Sequence, residues 1–353
     1  MKSLIFGYGV TGQSFERYLN KKNIDFSIYD EKISGSNITN KLPNRARLQS
    51  FEMIYLSPGI NLKKIYPNGE FEEIPYQTDL DIFFKEDNSY KIGITGTNGK
   101  SSCCYYLHQL LEGSQLVGNI GNPVLDNINK SAYSIIELSS FQLEKAKFIE
   151  LDFGVLLNIE PDHIDHHGSF AEYAKAKNKI NKSKVFTKEA NPKKLWSMIT
   201  GEEQSSIRNI QLKNLPHRQE HITTWKNLTF INDSKATNIA ALKYALNKMS
   251  DQYLLILCGD PNKERYKNIE ITGPLKIYIF GTHANDIYKK VTHPNKILLH
   301  NKSLETVIKL VAEDIYQNPT TILFSPGHPS GKDFKNFEDR GKHFSNLAMN
   351  LDG

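Results

Sequence analysis

The chain has 353 residues, 39% of them hydrophobic and 24% charged, which is the length and mixture of two or three globular domains with their own cores. Its net charge of +5 is dispersed as single lysines and Lys-Lys pairs, with no basic stripe interleaved with aromatics, which speaks against nucleic-acid binding. Three cysteines, Cys103, Cys104 and Cys258, without C-x-x-C spacing, speak against a disulfide framework or a zinc–thiolate site. No apolar window approaches bilayer length, and the first apolar run is too short for a signal peptide, so a cytoplasmic protein without membrane insertion is expected.

Ser3–Phe6 reads as a strand, Ser14–Asn20 as a helix and Ile24–Tyr29 as a second strand closing at Asp30. Between the first two stands Gly7-Tyr-Gly-Val-Thr-Gly12, a G-x-G-x-x-G turn in strand–turn–helix context. Such a turn suits any diphosphate at a helix N-terminus; NAD is one ligand of that chemistry. Met53–Leu56 is a further strand, stopped by Ser57-Pro58-Gly59. The pattern opens a doubly wound α/β domain, expected over residues 1–89.

A second α/β unit is expected over residues 90–215. The strand Lys91–Thr95 runs into Gly96-Thr97-Asn98-Gly99-Lys100-Ser101-Ser102, and a helix follows over Ser102–Glu112. The glycines and small residues let backbone N–H groups face phosphate oxygens at a helix N-terminus. Lys100 supplies a cation for the β and γ phosphates, and the hydroxyls of Ser101 and Ser102 can reach Mg²⁺ or phosphate. The G-x-x-x-x-G-K-[ST] spacing is not met, because Gly93 comes one residue too early; an ordinary glycine turn is the competing reading. Two more apolar strands, Tyr133–Leu138 and Phe153–Asn158, end in polar residues. Glu137 at the first of these ends is a hard oxygen ligand suited to Mg²⁺. After the second, Asp162, His163, Asp165 and His167 crowd together, a set that could hold a transition metal, although beside an ATP loop Mg²⁺ chemistry fits better. His166 reads as a surface residue. A helix is predicted from Phe170 to Ser183.

The third unit, over 216–353, begins around Leu215-Pro-His-Arg218 and has strands near Leu228–Asn232, Tyr253–Cys258, Ile277–Phe280 and Thr321–Ser325. Asn232-Asp-Ser-Lys-Ala-Thr-Asn238 follows the first of them; a polar turn or helix cap explains part of that run, and Lys235 and Thr237 less well.

Taken in order, T-G-T-N-G-K-S-S, E-L-S-S-F-Q-L, P-D-H-I-D-H-H-G, L-P-H-R and N-D-S-K-A-T-N closely resemble the Mur ligase family, and the resemblance continues to S-P-G-H-P-S and F-K-N-F-E-D-R-G near the C-terminus. It implies three domains: a Rossmann-like N-terminal domain, a shortened central ATPase domain of the P-loop type, and a C-terminal Rossmann-like α/β domain. It implies an ATP-dependent amide ligase acting on UDP-N-acetylmuramoyl-L-alanine and D-glutamate, cytoplasmic and monomeric, with two Mg²⁺ ions. By position, Val10, Thr11, Asp30, Ser57, Pro58, Gly59 and Asn119 would contact the UDP-sugar. Gly96 to Ser102 with Arg218 and Asp233 would hold ATP. Lys235, Thr237, Lys263, Ser330 and Phe337 would meet D-glutamate. One Mg²⁺ would sit on Ser101 and Glu137, the other on His163 and a carbamylated lysine at position 177. Lys100, His163 and Lys177 would be the catalytic groups.

The chain departs from the family pattern in three places. The G-x-H-N motif that frames adenine is absent, the segment around Lys263 reads Cys-Gly-Asp-Pro-Asn-Lys, and Ser-Pro-Gly-His-Pro-Ser330 replaces an alanine-cysteine-alanine-serine form. Alternatives are another amide ligase of the superfamily, including the folylpolyglutamate type, and a nucleotide-binding homologue without catalysis. An NAD oxidoreductase would leave the loop at 96–102 unexplained.

Overall fold

The computed structural model describes residues 2–120, 122–207, 210, 212–250, 252–263, 268–314 and 316–351. The chain forms two compact units, Met1–Leu212 and Lys213–Gly353. The first holds two five-stranded sheets and the second a six-stranded sheet.

The first sheet comprises β1 (Ser3–Phe6), β2 (Phe26–Tyr29), β3 (Ile38–Thr39), β4 (Ile54–Leu56) and β5 (Tyr76–Gln77), in the order β3-β2-β1-β4-β5 and parallel throughout. The chain leaves β1 toward β2 on one side and returns to β4 on the other. This switch point opens a crevice at the carboxyl ends of β1 and β4, where α/β sheets bind ligands. The helix after β1 starts at Val10, four residues earlier than its apolar spacing suggests, because the turn Gly7–Gly9 is already tight enough to launch it. Gly12 must be glycine, since a Cβ there would lie 2.1 Å from the Gly7 carbonyl oxygen.

The second sheet comprises β6 (Tyr90–Thr95), β7 (Ser114–Gly118), β8 (Tyr133–Glu137), β9 (Phe153–Leu156) and β10 (Val185–Thr187), in the order β10-β9-β6-β8-β7, again all parallel. Its inner strands β6, β8 and β9 are buried almost end to end, as expected for a parallel sheet covered on both faces. One apolar core, including Phe15, Phe83, Val117 and Leu143, joins elements of both sheets. The helix predicted to reach Ser183 ends at Asn178 and tightens into a 3₁₀ turn over Lys179–Lys182.

In the second unit the strands are β11 (Glu220–Trp225), β12 (Leu228–Asn232), β13 (Tyr253–Leu257), β14 (Ile269–Glu270), β15 (Lys276–Gly281), β16 (Val291–Thr292), β17 (Lys296–His300) and β18 (Thr320–Phe324). The main sheet runs β11-β12-β18-β13-β15-β17, parallel except for the β11–β12 hairpin, and β14 pairs with β16 apart from it. Cores centred on Phe324 and on Leu255 cover its two faces.

Candidate active site

β6 carries Thr95 and Gly96 to the carboxyl edge of its sheet, where the chain turns into the helix Lys100–Leu110. Gly99 caps that helix at φ 85°, a left-handed conformation that only glycine adopts without strain. Gly93 has another task. It sits inside β6, where a Cβ would lie 2.4 Å from Leu151 Cδ1, so it serves close packing and not phosphate. The loop is braced from the end of β9. The Asn158 carbonyl accepts the Thr97 N–H at 2.9 Å, and its side chain accepts the Asn98 N–H at 2.9 Å while donating to the Asn98 carbonyl at 3.0 Å. Thr97 Oγ1 accepts the Glu160 N–H and lies 2.9 Å from the Tyr173 hydroxyl. Asn158 and Tyr173 do not stand out in the sequence; the available signal is an asparagine ending an apolar strand in the unit that holds the loop.

Two lysines converge here. Lys100 Nζ donates to the carbonyls of Gly96 at 2.8 Å and Thr97 at 2.9 Å. Lys177, only 1% exposed, donates to Gly96 O at 2.7 Å and Thr95 Oγ1 at 3.4 Å, with Nζ 4.9 Å from the Tyr173 ring centroid. Burial first, and then the charge of Lys100, push the Lys177 amine down to about 7, against the pull of Asp162 and Glu137. Ser101 and Ser102 occupy the first turn of the helix, half-buried.

Glu137 ends β8, paired with Ile94 across the ladder and buried. Its Oε1 accepts from Asn119 Nδ2 at 2.8 Å, and its backbone carbonyl accepts the Asn119 N–H at 2.9 Å, so Asn119 buttresses the carboxylate. Glu137 Oε2 is buried without a hydrogen-bond partner among the described residues. An orphaned anionic oxygen at this edge fits a hard dication such as Mg²⁺. His163 stands apart from this group. Its backbone is left-handed at φ 51°, its side chain is 49% exposed, and its imidazole faces Asp162 at 3.4 Å and the Phe141 ring at 4.9 Å. Among the described residues, its ion pair is with Asp162 and its ring contacts are with Phe141 and Tyr173, not with Glu137 or Lys177. His166 is not a surface residue as its sequence setting suggests: its side chain is 13% exposed and its Nε2 lies 3.0 Å from Glu144 Oε2.

The crevice of the first sheet gathers most of the predicted UDP-sugar residues. Asp30 Oδ2 accepts the Tyr8 N–H at 2.7 Å, and Oδ1 accepts those of Lys32 and Ile33 at 2.8 Å each. Burial alone would raise its pKa, but those N–H groups outweigh it and hold the carboxyl below its usual range. Ser57 Oγ donates to the Gly7 carbonyl at 2.7 Å, and the Pro58 carbonyl accepts from Lys145 Nζ at 2.7 Å. Gly59 and Val10 are exposed, and Thr11 is half-buried beside Val10 in the first helical turn.

In the second unit, Asp233 accepts from Ser325 Oγ at 2.7 Å and from the Gln219 N–H at 3.2 Å, and burial pushes its carboxyl up to about 6. The charge of Arg218 reaches Asp233 and opposes that rise. Lys235 Nζ lies 3.5 Å from the centroid of the Phe337 ring, a cation–π contact. Thr237 is half-buried in the same segment, and Ser330 Oγ is buried without a hydrogen-bond partner among the described residues. The side chain of Lys263 lies outside the described residues. Arg340, which the sequence reading includes in F-K-N-F-E-D-R-G without assigning it a role, is fully buried and bonds Ser234 and the His328 carbonyl.

A helix-capping phosphate loop flanked by a buried carboxylate and a buried lysine, at the carboxyl edge of a parallel sheet, defines a nucleotide-dependent α/β enzyme. The chain belongs to the Mur ligase family. Residues 94–190 match the Mur ligase middle domain. The chain is 30% identical to the UDP-N-acetylmuramoylalanine–D-glutamate ligase of Buchnera aphidicola subsp. Acyrthosiphon pisum (strain Tuc7) over 436 aligned positions, which cover 99% of this chain and 98% of the relative. It is 27% identical to the ligase of the same name from Francisella tularensis subsp. mediasiatica (strain FSC147), over 99% of this chain and 96% of that one. Those alignments, longer than the 353-residue chain, mean that the relatives carry insertions it lacks. Among solved structures, the MurF ligase from Thermotoga maritima in complex with ADP matches with a TM-score of 0.57 at 12% identity, covering 99% of this chain and 95% of that one. The pseudomurein peptide ligase type C from Methanothermus fervidus matches with a TM-score of 0.55 at 14% identity, over 99% of each chain. These two likenesses concern the fold, a three-domain α/β architecture.

Proposed function

We propose that the chain is an ATP-dependent amide ligase that joins D-glutamate to UDP-N-acetylmuramoyl-L-alanine in peptidoglycan precursor synthesis, in the cytoplasm. The observation that carries this reading is the span of the relatives bearing that activity in their names, 99% of this chain, with the T-G-T-N-G-K-S loop intact.

A carboxylate oxygen of the L-alanine unit attacks the γ-phosphorus of ATP, and ADP departs. The D-glutamate amine then attacks the acyl carbon of the acyl phosphate, phosphate leaves with the former carboxylate oxygen, and the amine gives up a proton. Joining one anion to another needs charge neutralisation. Lys100 supplies it from the loop, where the N–H groups of the helix terminus cradle the phosphates. Ser101 and Glu137 would hold one Mg²⁺, and His163 with a carbamylated Lys177 would hold a second; bound there, the ions would supply Lewis acidity to the phosphoryl oxygens. Asp30, Ser57 and the Gly7–Gly12 turn hold the uridine diphosphate. Lys235, Ser330 and Phe337 frame the amino acid.

The test is phosphate release from ATP with UDP-N-acetylmuramoyl-L-alanine and D-glutamate, set against L-glutamate, L-lysine or folate. Release that depends on D-glutamate supports the proposal. Release only with another acceptor assigns a different ligase of the superfamily, and no release from folded protein points to a homologue without catalysis.

A further inference from the structure

Glu144, His166 and His167 converge beside Phe141, with one potential ligand atom from each within 4.8 Å of the others. Glu144 comes from the helix Ser140–Lys145, and both histidines come from the turn Ile164–His167. His166 Nε2 lies 3.0 Å from Glu144 Oε2. The His167 side chain is 0% exposed, and its Nε2 meets Ser140 Oγ at 3.0 Å. Its Nδ1 is buried without a hydrogen-bond partner among the described residues and faces Glu144 Oε1 at 3.6 Å, beyond hydrogen-bond reach. A sealed ring nitrogen aimed at a carboxylate that it does not bond is half of an ion-binding arrangement.

We propose that Glu144, His166 and His167 form a binding site for a borderline divalent transition ion of the zinc class, separate from the phosphate-loop site. Two imidazole nitrogens and one carboxylate are a donor set that zinc accepts, with a fourth position left to water. Two atoms each about 2.1 Å from a tetrahedral ion stand about 3.4 Å apart. His166 Nε2 stands 3.0 Å from Glu144 Oε2 and His167 Nδ1 3.6 Å from the other oxygen, Oε1, so the two contacts lie on either side of that spacing and a turn of the carboxylate presents one oxygen to an ion between the rings. Outer groups are also in place: Ser140 Oγ fixes the remaining nitrogen of His167, and the Asn61 amide lies 3.4 Å from His166 Nδ1. Two lysines face the cluster. Lys145 Nζ is 3.7 Å from Glu144 Oε2 and shares that carboxylate with the ion, which lowers the affinity; Lys179 Nζ is engaged by the Glu144 and Ala146 carbonyls. The ion pins the turn that begins after His163 to the Ser140–Lys145 helix, and none of Lys100, Glu137 or Lys177 takes part.

Zinc titration by calorimetry, with metal analysis after dialysis, tests this on the full chain with Mg²⁺ in large excess to occupy the hard-cation site. Wild-type protein and His163→Ala should each bind one Zn²⁺ per chain, and Co²⁺ in its place should give tetrahedral d–d absorption. His166→Gln and Glu144→Gln, shown folded by circular dichroism, should bind at least about tenfold more weakly. If one of them fails to fold, the other carries the comparison. No stoichiometric zinc, unchanged affinity in both variants, or loss of zinc in His163→Ala would overturn the proposal. The measurement needs no ligase substrate, so its result is independent of the proposed reaction.

Discussion

Lys177 and Lys100 share one acceptor: their Nζ atoms donate to the Gly96 carbonyl from 2.7 and 2.8 Å. Burial first, and then the like charge of Lys100 on the same oxygen, bring the Lys177 amine down to about 7. An unfolded chain keeps that proton to about pH 10.4. Between about pH 7 and about pH 10 the unfolded state therefore binds one proton more than the folded state, so this group makes stability rise with pH across the window. Below about pH 7 the penalty of the buried charge is fully present. Lys177→Met should gain most over wild type near pH 6, by up to a few kcal/mol, and the gain should shrink toward pH 10. Urea denaturation in CO₂-free buffer at several pH values measures it, and a gain independent of pH would count against the assignment.

The same neutral amine is a nucleophile for CO₂, and a lysine carbamate replaces a cation with two oxygen ligands. Addition of ¹³C-bicarbonate near pH 8 should give a carbamate carbon resonance in the wild type that Lys177→Met lacks. Ligase activity should fall on CO₂ removal and return with bicarbonate. A carbamate signal that survives in the variant would place the reactive lysine elsewhere.

Lys100→Ala should lower ATP-dependent phosphate release by about a hundredfold or more, the scale of losing one preorganised charge at a reacting phosphate. It should also let the Lys177 pKa rise, because a like charge is gone, and so shift the onset of carbamate formation to higher pH. Lys100→Arg should not restore the rate, since the planar guanidinium cannot follow the path of Nζ back over the Gly96 and Thr97 carbonyls. Wild-type turnover in Lys100→Ala would refute its phosphate role.

Strands whose apolar runs are continuous, such as β6, β8 and β13, are legible in the sequence because parallel strands buried on both faces carry an unbroken signal. The edge strands β7 and β11 are not, since Ser114–Gly118 and Glu220–Trp225 mix polar and apolar residues and gain their order from a neighbour's hydrogen bonds. The glycine loop leading into a helix at Lys100 could be read from residue types alone, whereas the role of Gly93 could not, because Leu151 approaches it from far along the chain. Arg340 was illegible for a similar reason: a lone arginine in a polar helix reads as surface until the fold buries it.

Asn119 is expected to act through Glu137. Asn119→Leu removes the donor at 2.8 Å and leaves a buried carboxylate with neither oxygen satisfied by protein. Without the amide, the carboxylate loses the partner that fixes its orientation toward an ion. The Mg²⁺ concentration for half-maximal phosphate release should rise about tenfold or more, with a smaller change in the KM for the UDP-sugar. A variant that altered only the sugar KM would instead make Asn119 a direct sugar contact.

Arg340 ties together three of the four segments assigned to the amino acid. Its Nη2 and Nε hold the carbonyl and hydroxyl of Ser234, next to Lys235, and its Nη1 holds the carbonyl of His328, two residues before Ser330. Ser234 Oγ in turn donates to the Phe337 carbonyl at 2.9 Å, below the ring that Lys235 covers. The guanidinium is 0% exposed and its hydrogen bonds go to neutral groups, so the geometry of its fork matters more than ion pairing. Arg340→Met removes the hydrogen bonds that it donates to the buried Ser234 and His328 carbonyls, at about 1–3 kcal/mol each, partly offset by removal of a buried charge. The second unit should therefore lose about 2 kcal/mol of stability. If Arg340 positions the amino-acid pocket, the KM for D-glutamate should rise at least tenfold while the KM for the UDP-sugar, bound on the first sheet, stays within about twofold. Arg340→Lys, which cannot bridge both carbonyls, should recover part of the stability but little of the D-glutamate KM. Equal shifts in both KM values would reduce Arg340 to a general packing role.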